Sequence, residues 1–195
     1  MSTRMETYTG RLIDLSRPDP ADVCIEDIAW HLSRIPRFGG ATNKENVYTV
    51  AQHSVLVLNR VKQTSAGADN ALLLTALLHD AHEAYIGDII APMSNLLDLR
   101  APIERLKQRM QKAVHVGLLG KDFEPHEGTL IKQADEWAAY YEAYHLMHSK
   151  GKTMPRGVFL SDEYILRNML VWPTDYANDS FKNHYHELMP ASNKQ

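Results

Sequence analysis

The residues Leu77-Leu78-His79-Asp80-Ala81-His82-Glu83-Ala84 carry an apolar stretch straight into four titratable side chains within five positions. Burying that set without partners is costly, because a desolvated charge needs a counter-charge, hydrogen bonds or a metal ion. On a continuous helix each residue turns by about 100°. His79 and Asp80 then point about 100° apart, with Glu83 between them, about 40° beyond His79. An imidazole and a carboxylate so placed can hold a divalent ion, while the second carboxylate sits beside it to move a proton of the water that the ion activates.

Two ligands do not complete a site, so others must come from elsewhere in the chain. His53 stands in Ala51-Gln52-His53-Ser54-Val55, beside apolar residues, and Asp135 in Ile131-x-x-Ala134-Asp135-x-x-Ala138, on what the spacing makes a buried face. Taken singly, His53 reads as a hydrogen-bonded core histidine and Asp135 as the partner of Lys132, one turn earlier. A buried Asp in a helix interior is unfavourable by propensity and by desolvation, and a cation would compensate it. Taken jointly, a His, then a His-Asp after an apolar helix, then an Asp on a later helix point to one site with His53, His79, Asp80 and Asp135 as ligands.

These side chains need helices to position them, and the period of the apolar residues supplies them. Tyr8 to Leu15 is short and β-prone, the material of a small ribbon, and Arg17-Pro18-Asp19-Pro20 ends it as a turn. Ile25, Ile28, Ala29 and Leu32 share one helix face, closed by Pro36 and Gly39-Gly40. Thr49-x-x-Gln52 reads as a capping box opening a helix to about Lys62. Asp69 caps a helix striped by Ala71, Leu74, Leu78, Ala81 and Tyr85 and broken at Gly87. Further helices are expected over Pro102 to Val116, Thr129 to His148, Ser161 to Leu170 and Asn178 to Leu188, with Pro173 as a stop. The expectation is an all-α bundle or orthogonal array, one domain over residues 1–195, with a short N-terminal β ribbon.

At 195 residues the chain can bury a core, and 44% hydrophobic and 23% charged residues are ordinary for a globular protein. A net charge of −3 argues against a grip on duplex nucleic acid, which favours a basic surface, but leaves room for a small anion. The single Cys24 cannot form an internal disulfide. With no apolar leader after Met1, a reducing cytoplasm is expected, the host's if the gene is a phage's. No stretch is long and apolar enough for a membrane span.

The motifs Ser33-x-x-x-Arg37-Phe38, Val50-Ala51-Gln52-His53-Ser54, His79-Asp80-x-x-Glu83-x-x-x-x-Asp88 and Lys132-x-x-Asp135 resemble the HD-domain superfamily of metal-dependent phosphohydrolases. Within it they resemble the bacterial 5′-deoxyribonucleotidases and the phage dATP triphosphohydrolases. The resemblance runs from about Ser33 to Asp135 and implies an all-α HD fold binding one divalent ion through His53, His79, Asp80 and Asp135. It further implies that Glu83 orients or deprotonates the attacking water and that Arg37 and Lys132 reach the phosphates. Phe38 would pack on the nucleoside, and Asp88 would recognise the deoxyribose 3′-hydroxyl. Relatives often follow the Asp88 position with Pro-x-Lys, where this chain has Pro92-Met93-Ser94. Gly39-Gly40 after Phe38 leaves no bulky side chain to select the base.

The implied reaction is attack of water on a phosphorus atom of a deoxynucleotide, with Co²⁺, Mn²⁺, Fe²⁺ or Zn²⁺ in a His₂Asp₂ site and Mg²⁺ able to accompany a triphosphate. The expected substrates are dNTPs, dATP among them, cleaved to deoxynucleoside plus triphosphate. The alternative is 5′-deoxyribonucleotidase action on dNMPs. A homo-oligomer is expected. Guanosine tetraphosphate hydrolases tend to place a second acid after the glutamate, whereas this chain has Ala84, and the Gly-Tyr-Pro signature of cyclic-dinucleotide phosphodiesterases is not found. A nucleotide-sensing binding module stapled by metal is the non-enzymatic alternative, and Glu83, an acid for which a pure binder has no use, discriminates against it.

Overall fold

A computed structural model describes residues 2–121, 128–154, 160, 161, 163 and 168–190. The described chain is helical apart from an N-terminal antiparallel ribbon, β1 (Arg4–Glu6) paired with β2 (Leu12–Asp14) in the register Met5 to Ile13. The ribbon lies earlier than Tyr8 to Leu15 alone would place it, because the Tyr8–Gly10 turn separates its two strands. Asp27 ties it to α1 (Ile25–Leu32): the buried carboxylate accepts from Thr7 Oγ1, the Thr9 amide and hydroxyl, and Cys24 Sγ. Those donors satisfy a charge that burial would otherwise penalise.

After a turn that includes Arg37–Gly40, α2 (Val50–Thr64) enters the centre of the molecule. The Thr49 hydroxyl accepts from the Gln52 amide, as an N-cap should. The Gln52 side chain does not return the bond as a capping box would. It donates to Leu170 O at 2.7 Å and accepts from the Trp172 amide at 3.0 Å, pinning the Leu170–Trp172 segment to the helix start. Val50, Ala51, Val55, Val57, Leu58 and Val61 are buried all round α2, which packs against α3 (Asn70–Leu77), α7 (Gly128–Leu146) and α8 (Thr174–Leu188). A helix apolar on every side is a core helix.

The side chain of Asp69 caps α3 through the Leu72 amide. The helix stops at Leu77 rather than at Gly87, a turn intervenes, and α4 (Glu83–Ile86) resumes. Gly87, at φ +80°, ends α4. Short α5 (Ala91–Ser94) leads into α6 (Leu97–Leu119), which starts before Pro102 and lies on the Pro20–Asp22 turn. A Cβ at Gly117 would stand 2.4 Å from Pro20 O, so only glycine permits that approach. α8 begins at Thr174, directly after Pro173, four residues before the expected Asn178. Of the expected helix over Ser161 to Leu170, positions 162 and 164–167 lie outside the described residues; Glu163 is helical, whereas Asn168 to Leu170 are not, so the helix does not reach Leu170. Buried side chains from Ile13 to Met189 form one cluster, and among the described residues no helix is long and apolar enough to cross a membrane.

Candidate metal centre

Backbone pairing places the first elements of the site. Pro36 and Thr49 form an isolated bridge, with the Arg37 amide donating to Tyr48 O and the Val50 amide to Ile35 O. That clip sets Arg37 beside the first turn of α2, from which His53 projects, fully buried. Next to Arg37, Phe38 sits at φ +56°, a left-handed conformation that costs a non-glycine residue about 1–2 kcal/mol.

The turn between α3 and α4 delivers the next two. Bonds from Ala81 N to Leu78 O, Glu83 N to Asp80 O, Ala84 N to Ala81 O and Tyr85 N to His82 O span three residues instead of four. Gln111 of α6 holds this tightened turn from both ends. Its Nε2 donates to Leu78 O at 2.6 Å, and its Oε1 accepts from the His82 amide at 3.1 Å and from His82 Nδ1 at 2.9 Å. The helical wheel that puts Glu83 between His79 and Asp80 therefore does not apply, because the three residues do not share one continuous helix.

His53, His79, Asp80 and Asp135 nevertheless converge, with one donor atom from each lying within 4.8 Å of all the others. His53 Nε2 is 3.2 Å from His79 Nε2, 3.5 Å from Asp80 Oδ2 and 3.1 Å from Asp135 Oδ1. His79 Nε2 is 3.2 Å from Asp80 Oδ2 and 3.8 Å from Asp135 Oδ1. Ligands bonded at about 2.0–2.2 Å to one ion stand roughly 3–3.5 Å from one another. Each histidine also presents the correct nitrogen. His53 Nδ1 faces Glu142 Oε1 at 2.5 Å and His79 Nδ1 faces Ala76 O at 2.9 Å, and both oxygens are acceptors. Protons on the two Nδ1 atoms leave two Nε2 lone pairs aimed at one point beside two carboxylates. That arrangement is repulsive without a proton or cation and is the usual outer support of a metal-binding histidine. The donor set fits a divalent ion.

Electrostatics agree. Burial and the Arg37 charge push His53 down, but Glu142 and the Asp135 and Asp80 carboxylates outweigh them and hold it well above its ordinary value. Burial also opposes the charge on His79, yet Asp80 and Asp135 carry it up to about 9. The reciprocal effect holds Asp80 and Asp135 below the usual carboxylate range despite their burial. The pocket attracts positive charge.

Glu142 is the principal residue that the sequence reading missed. Fully buried on α7, it accepts from Tyr48 Oη at 2.9 Å and from His53 Nδ1, and its Oε2 lies 3.2 Å from Arg37 Nε. The signal was its position seven residues after Asp135, two turns along the same face. Arg37 is largely buried rather than a solvated surface charge, and its Nη1 also approaches Asp80 Oδ2 at 3.6 Å. Glu83 is buried next to this group. Burial first, then Asp80 and Asp88, pushes its carboxyl up to about 9. Lys107 of α6, also missed, stands 3.9 Å from Glu83 Oε1. Asp88 is half-buried and raised by burial, with Arg37 and Asp80 acting on it in opposite directions. Phe38, half-buried, has its ring centroid 5.6 Å from the Arg37 guanidinium carbon. Lys132 is not drawn in: its side chain is 76% exposed and lies 3.9 Å from Glu136.

No family model matches the chain. It is 32% identical over 185 residues to the uncharacterized protein RCAP_rcc00048 of Rhodobacter capsulatus, covering 93% of each chain. It is 40% identical over 93 residues to the uncharacterized protein YfdR of Escherichia coli K12, 48% of this chain and 47% of that one.

Proposed function

The chain belongs to the family of the Rhodobacter capsulatus protein, and we propose that it is a divalent-metal-dependent phosphohydrolase acting on deoxynucleotides. The observation that carries this reading is the convergence of donor atoms from His53, His79, Asp80 and Asp135, with both histidines oriented from behind by acceptors. The resemblance of the surrounding motifs to HD-domain phosphohydrolases supplies the reaction class. A divalent ion held there supplies Lewis acidity to a phosphoryl oxygen and lowers the pKa of a water.

The chain's own residues do the rest. Glu83, buried beside Asp80, takes the proton of the attacking water; a cation held at Asp80 would offset the charge that raises this carboxyl. Arg37, fixed by Glu142 and Asp80, presents positive charge to the phosphate as negative charge grows on it. Asp88 accepts from the 3′-hydroxyl, and Phe38 packs on the nucleoside. Attack at the α-phosphorus of a dNTP breaks its bond to the 5′-oxygen and releases deoxynucleoside and triphosphate. The same attack on a dNMP releases phosphate. The second reading gains from the exposure of Lys132, which leaves that ammonium uncommitted to the site, and from Ser94 in place of a lysine.

The test is product chromatography on dNMP and dNTP panels with added Co²⁺ or Mn²⁺, together with elemental analysis of His79→Ala and Asp80→Ala. Inorganic triphosphate supports the first substrate reading, and phosphate from dNMPs alone supports the second. Full metal content and normal turnover in both variants would overturn the site.

A further inference from the structure

A second group of donor atoms shares Asp80 with the first. One donor each from Asp80, His82 and Glu83 lies within 4.8 Å of the other two. His82 and Glu83 are more than nine-tenths buried. His82 Nε2 and Glu83 Oε2 are shielded from solvent with no hydrogen-bond partner among the described residues. A buried polar atom left unpaired forfeits its hydration without return, so two in one small group call for an occupant. The orientation of His82 indicates which kind. Its Nδ1 faces Gln111 Oε1, and the Gln111 amide is itself fixed by donation from its Nε2 to Leu78 O. The Nδ1 proton therefore points at Gln111 and Nε2 is left to face the group, the orientation in which His53 and His79 present Nε2 to the first cluster.

We propose that Asp80, His82 and Glu83 hold a second divalent ion, with Asp80 bridging it to the first. This rests on the reading that the first cluster binds an ion. One imidazole with two carboxylates suits Mn²⁺, Fe²⁺, Co²⁺ or Zn²⁺. Two such ions stand about 3.5–4 Å apart in sites that clamp phosphoryl groups. The Lys107 ammonium does not take this place: 3.9 Å from Glu83 Oε1 is beyond hydrogen-bond length, and Oε2 is the oxygen without a partner. A second ion would bring to the phosphates the charge that Ser94 does not supply and that the solvent-facing Lys132 does not commit. Glu83 would ligate through one oxygen and face the water with the other.

The experiment strips the full chain with a chelator, reloads it with Mn²⁺, removes excess ion and measures Mn²⁺ per chain by elemental analysis, with electron paramagnetic resonance on the same samples. The expected wild-type result is two ions per chain with an exchange-coupled spectrum. His82→Asn keeps an amide donor for Gln111 Oε1 while deleting the Nε2 ligand, and His82→Ala deletes both. Each should bind one ion with an uncoupled spectrum, on samples whose helical circular dichroism matches wild type. A single ion in the wild type overturns the second site and leaves the first standing. Two coupled ions in both variants overturn it equally. No ion in the wild type overturns both readings. The wild-type stoichiometry and coupling are decisive even if a variant fails to fold.

Discussion

Two buried glutamates in the site occupy opposite electrostatic situations. Glu142 receives Tyr48 Oη and His53 Nδ1 on one oxygen and has the Arg37 guanidinium 3.2 Å from the other. Glu83 has burial and two like charges against it and only Arg37 and Lys107 in favour. The first therefore orients His53, and on the proposed reading the second exchanges a proton. Glu142→Gln removes the charge behind His53 while nearly preserving shape. Loss of such a supporting carboxylate is expected to weaken metal binding by about 10–100-fold, readable by competition with a chromogenic chelator, and unchanged affinity would remove Glu142 from the site. Glu83→Gln is expected to retain the ion held by His53, His79, Asp80 and Asp135 while turnover falls on the order of 10²-fold or more. A variant emptied of all metal would instead make Glu83 a ligand of that first ion.

Among the helices and turns, the break between α3 and α4 matters most. Residues 78–82 contain neither glycine nor proline, and their neighbours are good helix formers, so local preference favours an unbroken helix. Gln111, reaching in from α6, offers this backbone hydrogen bonds that replace part of the helical ladder. Gln111→Ala leaves Leu78 O and the His82 amide without those partners in the core. We expect a loss of about 2–3 kcal/mol in urea-induced unfolding, accompanied by weaker metal binding because His79 and Asp80 ride on the same turn. A destabilised variant with wild-type metal affinity would show that the turn keeps its shape without the clamp. α7 contributes through simple periodicity: Asp135 and Glu142, two turns apart, approach His53 from the same face.

For the whole molecule, the clustered charges couple stability to pH and to metal. His79, raised from 6.5 to about 9, and Glu83, raised from 4.5 to about 9, both bind protons more tightly folded than unfolded in the metal-free protein. Between about pH 6.5 and 9 the folded state therefore holds the extra protons, and stability falls as pH rises through that window. His82 works in the opposite sense and lower down. Burial takes it to about 4, so its contribution is lost as pH falls from 6.5 toward 4. A divalent ion needs deprotonated ligands, so its stabilising effect grows with pH. Thermal melts in chelator should show Tm dropping from pH 6.5 to 9, and the increment given by Mn²⁺ should widen over the same range. A metal increment independent of pH would contradict protonation of the cluster.

The sequence alone determined most of the helices, through apolar period and capping residues, and it named the four side chains that converge, through the order of their motifs. Asp69 capping α3 and Thr49 capping α2 are legible from neighbours within three residues. The rest depends on partners far apart in the chain. Glu142 meets His53 across 89 positions, Gln111 meets Leu78 across 33, and Gln52 turns from its expected box to Leu170, 118 positions away. Such contacts overrode local preference at residues 78–82, unwinding a helix that propensity would continue and placing Glu83 where no helical wheel puts it. Tertiary packing likewise drew Arg37 into an ionic group while leaving Lys132, equally charged and only three positions from Asp135, in solvent. The direction of a long cationic side chain depends on which carboxylate reaches it, and only the assembled helices decide that.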